Sequence, residues 1–356
     1  MPISLSLSKE ITMQITLKRA AQAVKRSFRA GVVPVLHSSP GIGKSSIIHQ
    51  IAEQAGFDVI DVRLAQCDPT DLSGYPAFLD KNGVQKAQYI PMDIFPLATD
   101  KVPEGKHGWI LFFDEITSAP PAVQSAAYKI ILDRMVGHHK LHPKCFIAGA
   151  GNLLTDNAVV EEMSTALQSR MVHFEIKSDL EEFLTWGLKN NLDERIAGFL
   201  NYQPHLLHKF DPHHNDNTFP CPRTWMFVNS LLNIAGDVDE SELRPEIVGS
   251  IGEGAATDFI TYCKVYAKLP RFEDILANPS GFKMDSSPAI KYATTMMVAY
   301  RIDKDNATAC LEALNYIGAE FAFVGMRTIC SILGNDVMKI PGMSAFFAKY
   351  GTEYLL

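Results

Sequence analysis

The stretch Ser38-Ser39-Pro40-Gly41-Ile42-Gly43-Lys44-Ser45-Ser46 decides the fold of this chain. It follows an apolar run, Val32 to Leu36, and leads into a helical pattern from Ser45 to Gln54. A strand, a glycine-containing loop and a helix N-terminus in this order predict a phosphate-binding loop. The glycines let backbone N–H groups turn toward an anion, and the helix start contributes the positive end of its dipole.

The polar residues of this loop have predicted tasks in nucleotide binding. Lys44 is placed to reach the β- and γ-phosphates, and the Ser45 hydroxyl is placed to bind Mg²⁺. The pattern Gly-x-Gly-Lys followed by Ser or Thr arises by chance about once in a hundred chains of this length, which disfavours an ordinary glycine turn. One position departs from the usual motif, because Ser38 stands where a glycine is expected at the start of the loop. The predicted nucleotide-binding residues are Ser39, Pro40, Gly41, Ile42, Gly43, Lys44, Ser45 and Ser46.

A second apolar run, Trp109 to Phe113, ends in two adjacent carboxylates, Asp114 and Glu115. So uniformly apolar a run predicts a strand at the centre of a parallel sheet that is covered on both faces. Two carboxylates at the end of such a strand are costly unless a cation or a catalytic task accounts for them. We predict that Asp114 supports Mg²⁺ and that Glu115 polarises the attacking water. The alternative is a capping Asp-Glu pair on a surface turn.

A third predicted buried strand, Cys145 to Gly151, ends in small residues and is followed by Asn152. The small residues would let the backbone lie close to the phosphate loop. From there the Asn152 amide could orient the attacking water or contact the γ-phosphate.

This order of motifs resembles the AAA+ ATPases and, within them, the MoxR-like group. The segment Pro40 to Ser45 is similar to the Walker A loop, Trp109 to Glu115 to Walker B, and Asn152 to the sensor 1 residue. Two arginines complete the resemblance. Arg170, before a predicted strand from Met171 to Ile176, is similar to the arginine finger, and Arg223 follows Pro222 as in the sensor 2 motif.

Both arginines also have a physical interpretation of their own. Arg170 is predicted at a helix-to-strand junction on the edge of a domain, from which an arginine can stabilise transition-state charge on a neighbouring subunit. Arg223 is predicted at a helix N-terminus, where a cation opposes the helix dipole unless an anion is bound. For each arginine the alternative is an ordinary surface residue, with a salt bridge in the case of Arg170.

The predicted fold class is α/β, a P-loop parallel sheet with helices on both faces. The expected domains are an AAA+ core over residues 1–176, an α-helical lid over 177–275 and a helical C-terminal extension over 276–356. A hairpin insert over residues 75–90 is predicted from Asn82-Gly83. This hairpin either contacts a partner or pore, or packs on its own domain.

Three other segments have predicted secondary structure. We expect an amphipathic helix over Ile11 to Arg29, whose basic face we interpret as solvated. We expect a buried strand over Phe57 to Leu64 and a helix over Asn306 to Leu333.

The resemblance implies a Mg²⁺-dependent ATPase that works as a ring oligomer, expected to be a hexamer, with ATP at the subunit interfaces. MoxR-like proteins are associated with remodelling or metal-insertion chaperoning, often with a separate von Willebrand factor A protein as partner. Three alternatives stay open: a nucleic-acid motor of the same superfamily, an ATP-dependent assembly scaffold with little turnover, and a P-loop kinase.

Composition and charge indicate which partners and which location to expect for this chain. A formal net charge of -7 argues against wholesale coating of nucleic acid, so a nucleic-acid partner is not expected. The residues from Met1 to Ile11 show no signal-peptide pattern, and no segment is apolar enough to span a membrane. The six cysteines are widely spread, which favours reduced thiols and a cytoplasmic location.

Overall fold

The computed structural model of this protein describes residues 13–350 except 82–83, 154–155, 157–162, 164, 214–215, 236–240 and 267. The chain divides into two compact units. The first comprises Met1–Lys177 with Asp211–His213, and the second comprises Ser178–Phe210 with His214–Leu356.

The first unit contains a central sheet, two small hairpins and the helices that cover the sheet. Its strands are β1 Gln14–Ile15, β2 Val33–His37, β3 Phe57–Arg63, β4 Tyr75–Lys81, β5 Val84–Ile90, β6 Gly108–Asp114, β7 Met135–Val136, β8 His139–Lys140, β9 Cys145–Gly151 and β10 Met171–Ile176. Its helices are α1 Leu17–Ala30, α2 Lys44–Ala55, α3 Pro69–Ser73, α4 Pro121–Asp133 and α5 Thr165–Gln168.

The central sheet is entirely parallel and has the strand order β1-β10-β2-β9-β6-β3. Residues of α1 and α2 pack on one face, around Leu36 and Phe112, and residues of α4 pack on the other, around Val35 and Phe113. Because both faces are covered, the central strands β6 and β9 are almost continuously buried. The predicted α/β fold class is confirmed.

Two local predictions in this unit were wrong. The helix expected from Ile11 begins only at Leu17, because Gln14 and Ile15 pair with β10 as an edge strand. Ile11 itself lies outside the described residues. The strand β3 was expected to be buried, but most of its residues are only half-buried or exposed, since the sheet ends at β3.

The hairpin predicted over residues 75–90 is present as the antiparallel pair β4 and β5, in register from Tyr75 opposite Ile90 to Lys81 opposite Val84. Residues 82 and 83, on which the prediction depended, lie outside the described residues. The Phe78 side chain is 80% exposed, so the hairpin presents an aromatic ring to solvent.

The second unit is helical throughout the part that the structure describes. Its helices are α6 Leu180–Lys189, α7 Glu194–Tyr202, α8 Pro222–Ala235, α9 Arg244–Ile251, α10 Glu253–Tyr266, α11 Phe272–Ala277, α12 Pro288–Arg301, α13 Ala307–Ile317, α14 Ala319–Leu333 and α15 Met343–Tyr350. The helix expected over Asn306 to Leu333 is two helices, because the chain breaks at Gly318, whose φ is 134°. Among the described residues, none of the helices is long and apolar enough to cross a bilayer.

Two hydrophobic cores lie side by side within the second unit. One gathers side chains around Trp225 and Phe259, and the other gathers side chains around Leu314 and Ile329. Helix α12 belongs to both, because Met296 packs in the first core and Met297 in the second. The division expected at residue 275 stays a prediction.

Candidate active site

The predicted phosphate loop connects the end of β2 to the start of α2. Gly43 caps the helix with a φ of 117°, a backbone conformation that residues with a Cβ rarely adopt. The first N–H groups of a helix make no hydrogen bond within it, so the start of α2 at Lys44 is suited to an anion. The loop therefore has the backbone geometry of a phosphate cradle.

The Lys44 ammonium group joins the loop to the end of β9. Its Nζ atom donates hydrogen bonds to the Ser38 carbonyl at 2.8 Å, to the Ser38 hydroxyl at 3.0 Å and to Oδ1 of Asn152 at 3.1 Å. Ser38 is fully buried and has a negative φ, so its backbone does not need glycine at this position. The departure from the usual motif thus supplies Lys44 with a hydroxyl acceptor.

The Ser45 hydroxyl and the Asp114 carboxylate meet at the end of β6. The hydroxyl donates to Oδ2 of Asp114 at 2.7 Å, while Oδ1 accepts the N–H of Glu115 at 2.9 Å. A hydroxyl and a carboxylate oxygen are hard donors of the kind that Mg²⁺ prefers beside substrate phosphates. The residues present therefore fit a magnesium ion, and Ser45 and Asp114 are the pair that would hold it.

Glu115 has an unusual backbone. Its φ is 57°, in the left-handed region, although it carries a side chain. Such a conformation costs on the order of 1 kcal/mol and persists where the surrounding structure imposes it. The strain lies at the residue that was predicted to polarise water, and no sequence pattern indicated it.

Thr117 is a site residue that the sequence analysis missed. Thr117 is buried as a residue, and its hydroxyl accepts a hydrogen bond from the backbone N–H of Asn152 at 3.0 Å. A Cβ atom on Gly151 would lie only 2.6 Å from the Thr117 side chain, so glycine at the end of β9 allows its close approach to the turn that follows β6. Thr117 therefore fixes the position of Asn152 relative to Lys44.

Asp61 on β3 is a third carboxylate near Asp114 and Glu115, because it pairs with Phe112 close to the carboxyl end of β6. Burial raises its pKa, and the negative charge of Asp114 raises it further. The charge of His49, 3.7 Å away, partly opposes this effect. A bound cation would relieve the repulsion between Asp61 and Asp114, which is a second observation consistent with a magnesium site.

Arg170 lies at the opposite end of the sheet from the phosphate loop. It precedes Met171, the residue of β10 that pairs with Val33, whereas the loop follows His37. The four residue steps between Val33 and His37 correspond to about 13 Å of strand. The exposed Arg170 guanidinium lies 5.3 Å from the centre of the Tyr128 ring on α4, so it is held away from its own loop.

Arg223 belongs to the second unit and lies in the first turn of α8. The beginning of this helix is anchored by the fully buried Trp225, whose indole N–H donates to the Leu206 carbonyl at 2.8 Å. The side chain of Arg223 is exposed, as expected for a residue that meets a ligand or solvent. Of the predicted site residues, the structure brings together Lys44, Ser45, Asp114, Glu115 and Asn152.

A comparison with known families agrees with this geometry. Residues 34–178 match the sequence model of the AAA family, described as ATPases associated with various cellular activities. The chain therefore carries an AAA ATPase domain. The matched range begins in β2 and ends just after β10, so it covers the strands next to the predicted nucleotide-binding residues. No curated protein matches the chain by sequence.

Solved structures show distant likenesses. The RuvB Holliday junction branch migration motor of Thermotoga maritima has 16% identity, covers 94% of this chain and 79% of its own, and has a TM-score of 0.31. A Cytophaga hutchinsonii protein assigned as an ATPase has 13% identity, covers 85% of this chain and 76% of its own, and has a TM-score of 0.35. These likenesses are too distant to transfer a function.

Proposed function

We propose that this protein is a Mg²⁺-dependent ATPase of the MoxR-like AAA+ group, which hydrolyses ATP at the subunit interfaces of a cytoplasmic ring and remodels a protein partner. The observation that carries the ATPase proposal is the convergence of the Ser45–Asp114 hydrogen bond and the Lys44–Asn152 contact at one sheet edge. The AAA domain match supports the same assignment.

Each converging residue has a distinct role in this proposal. Lys44 and the loop N–H groups bind the phosphates, and Ser45 with Asp114 holds Mg²⁺, which shields phosphate charge when bound. Glu115 accepts the proton of the water that attacks the γ-phosphate, and Asn152 orients that water. Arg223 couples the γ-phosphate to movement of the helical lid.

The position of Arg170 supports the proposal of a ring oligomer. At about 13 Å of strand from its own loop, Arg170 cannot contact the phosphates that this loop binds. An exposed arginine at a domain edge can instead enter the nucleotide site of a neighbouring copy and stabilise transition-state charge there. We therefore assign each complete active site to two protomers, in a ring that we propose to be a hexamer.

The ATPase proposal is tested with two substitutions in the purified protein. Lys44→Ala should abolish nucleotide binding, because the phosphates lose their cation. Glu115→Gln should keep ATP bound, stabilise the ring in size-exclusion chromatography and lower turnover by at least about a hundredfold. The matched controls are Lys101→Ala and Glu53→Gln, which change the same residue types on the exposed surface. Turnover of Glu115→Gln at the wild-type rate would overturn the assignment.

The in-trans role has its own test. Arg170→Ala should lose hydrolysis, and mixing it with Lys44→Ala should restore part of it, since the second variant still donates its arginine. Arg271→Ala, an exposed arginine of the second unit, serves as the control. If properly mixed rings fail to regain activity, Arg170 does not act on a neighbouring site.

The remodelling role predicts a separate von Willebrand factor A protein as partner. Glu115→Gln rings, locked with ATP, should retain such a protein in a pull-down more strongly than Lys44→Ala protein does. Equal retention by both variants would show that binding is independent of the nucleotide and would remove support for an ATP-driven cycle.

A nucleic-acid motor is the second candidate, and the basic face of α1 favours it. This helix carries Lys18, Arg19, Lys25, Arg26 and Arg29 and no acidic residue. Stimulation of ATP hydrolysis by single-stranded DNA, weakening from about 50 to about 200 mM salt, would support this function. Arg26→Glu should abolish the stimulation, whereas Lys101→Glu should not. Absence of stimulation in the wild-type protein would leave the protein-remodelling role.

A further inference from the structure

Two histidines connect the phosphate-loop strand to the neighbouring strand. His37 is the last residue of β2, and its Nε2 atom lies 2.9 Å from Nδ1 of His173 on β10. The ring planes are inclined by 23° and the centroids are 5.2 Å apart, as expected for two imidazoles joined edge to edge by a hydrogen bond. On its other side, Nε2 of His173 lies 2.9 Å from the carbonyl oxygen of Gln168.

The Gln168 carbonyl determines the direction of this hydrogen-bond chain. A carbonyl oxygen only accepts, so Nε2 of His173 must carry the proton that it donates to Gln168. In neutral His173 the Nδ1 atom is then an acceptor, and His37 must donate to it from Nε2. Burial, the largest cause, lowers the pKa of His37 to about 4, so this ring is also neutral near pH 7.

Both ends of this hydrogen-bond chain lie next to residues with proposed roles in ATP hydrolysis. At one end, His37 directly precedes Ser38, whose carbonyl and hydroxyl oxygens accept hydrogen bonds from Lys44. At the other end, Gln168 lies in the turn that carries Arg170, and the Arg170 N–H donates to the Leu167 carbonyl at 3.2 Å. Hydrogen bonds and short backbone segments therefore connect Lys44, which is proposed to bind the phosphates, to Arg170 of the same protomer.

We propose that His37 and His173 are positioning residues that hold the Arg170 turn against the phosphate-loop strand and so set how the arginine reaches the next protomer. This inference rests on the proposed in-trans role of Arg170. It goes beyond that role, because it assigns the placement of the arginine to two side chains outside both nucleotide sites.

The test uses mixed rings in which each variant has one task. Arg170→Ala protomers are acceptors, because they have a complete nucleotide site but no arginine to give. Glu115→Gln protomers are donors, because they cannot hydrolyse ATP but keep the phosphate loop and Arg170. Steady-state ATP hydrolysis of the mixture therefore reports how well donor arginines serve acceptor sites.

His173→Ala is then introduced into one partner at a time. In the donor we expect it to lower the restored hydrolysis by about tenfold, as for the loss of one positioning hydrogen bond. In the acceptor, which presents no arginine, we expect it to leave the restored hydrolysis within about twofold. In the donor protomer, His173→Gln should retain part of the restored hydrolysis, because its amide can still donate one hydrogen bond and accept another. His37→Phe in the donor protomer should reproduce the loss.

The outcomes separate this inference from the function on which it rests. If the unsubstituted donor and acceptor restore no hydrolysis, the in-trans role of Arg170 fails and this inference fails with it. If they restore it and the donor His173→Ala retains it fully, only the positioning role is overturned. Equal losses with His173→Ala in donor and in acceptor would show a structural role in each protomer and would also overturn it.

Discussion

The Ser45 hydroxyl donates a hydrogen bond to Oδ2 of Asp114 over 2.7 Å, which places the first turn of α2 directly against the end of β6. The two residues come from motifs far apart in the chain, and each is a suitable oxygen ligand for Mg²⁺. Their contact unites the phosphate loop and the strand-end carboxylates into one candidate site.

Removing the Ser45 hydroxyl tests the proposed magnesium site. We expect Ser45→Ala to raise the Mg²⁺ concentration for half-maximal ATP hydrolysis by about tenfold, because one ligand is lost. Titration of turnover with Mg²⁺ measures this, with Ser125→Ala, an exposed serine of α4, as the control. An unchanged Mg²⁺ requirement in Ser45→Ala would exclude this residue as a ligand.

Thr117→Val tests whether Thr117 positions Asn152. The substitution keeps the side-chain shape but leaves the half-buried N–H of Asn152 without its Thr117 acceptor, which should lower the free energy of unfolding by about 1 kcal/mol. Turnover should fall by about tenfold while the affinity for an ATP analogue stays unchanged, since the loop itself is intact. Thr117→Ser, which keeps the hydroxyl, should retain both properties. A loss of affinity without a loss of turnover would contradict the assignment.

The parts of the site that lie within one continuous motif could be predicted from sequence. The loop from Ser39 to Ser46 and the strand before Asp114 have local patterns, and both occur where they were expected. The contacts of Thr117 with Asn152 and of His37 with His173 could not be predicted. They depend on the order β10-β2-β9-β6 in the sheet, and this order is decided by packing across the whole unit.

Glu115→Gly tests whether the candidate site stores backbone strain. Glycine adopts a φ near 57° without a steric penalty, so we expect the free energy of unfolding to rise by about 1 kcal/mol. ATP hydrolysis should nevertheless be lost, because the carboxylate is gone. Urea denaturation measures the first effect, with Glu53→Gly within α2 as a control that should destabilise by about 1 kcal/mol. A less stable Glu115→Gly protein would show that the conformation is not strained.

His37 should make stability depend on pH. Folding lowers its pKa from 6.5 to about 4, through burial and the nearby charges of His173 and Lys44. Between these values the unfolded chain binds a proton that the folded chain does not bind. The free energy of unfolding should therefore fall as the pH drops from 6.5 to about 4, by at most roughly 3 kcal/mol from this group.

The matched variant for this measurement is His37→Gln, which cannot titrate. Urea denaturation at a series of pH values should show a shallower decline for His37→Gln than for the wild-type protein over this interval. Parallel curves for the two proteins would show that His37 has a similar pKa in the folded and unfolded states.

Arg223 and Arg170 should respond differently in mixed rings. We propose that Arg223, in the first turn of α8, acts on the nucleotide of its own protomer, as its resemblance to the sensor 2 arginine of a helical lid implies. Arg223→Ala should lose hydrolysis, since its own γ-phosphate loses a cation. Mixing it with Lys44→Ala should restore no hydrolysis, because the Arg223 of the Lys44→Ala protomers belongs to a site that binds no nucleotide.

The control is the hydrolysis that Arg170→Ala regains when it is mixed with Lys44→Ala in the same way. Restoration of Arg223→Ala to the level of Arg170→Ala would place both arginines in the neighbouring site and require the role of the lid to be reassigned.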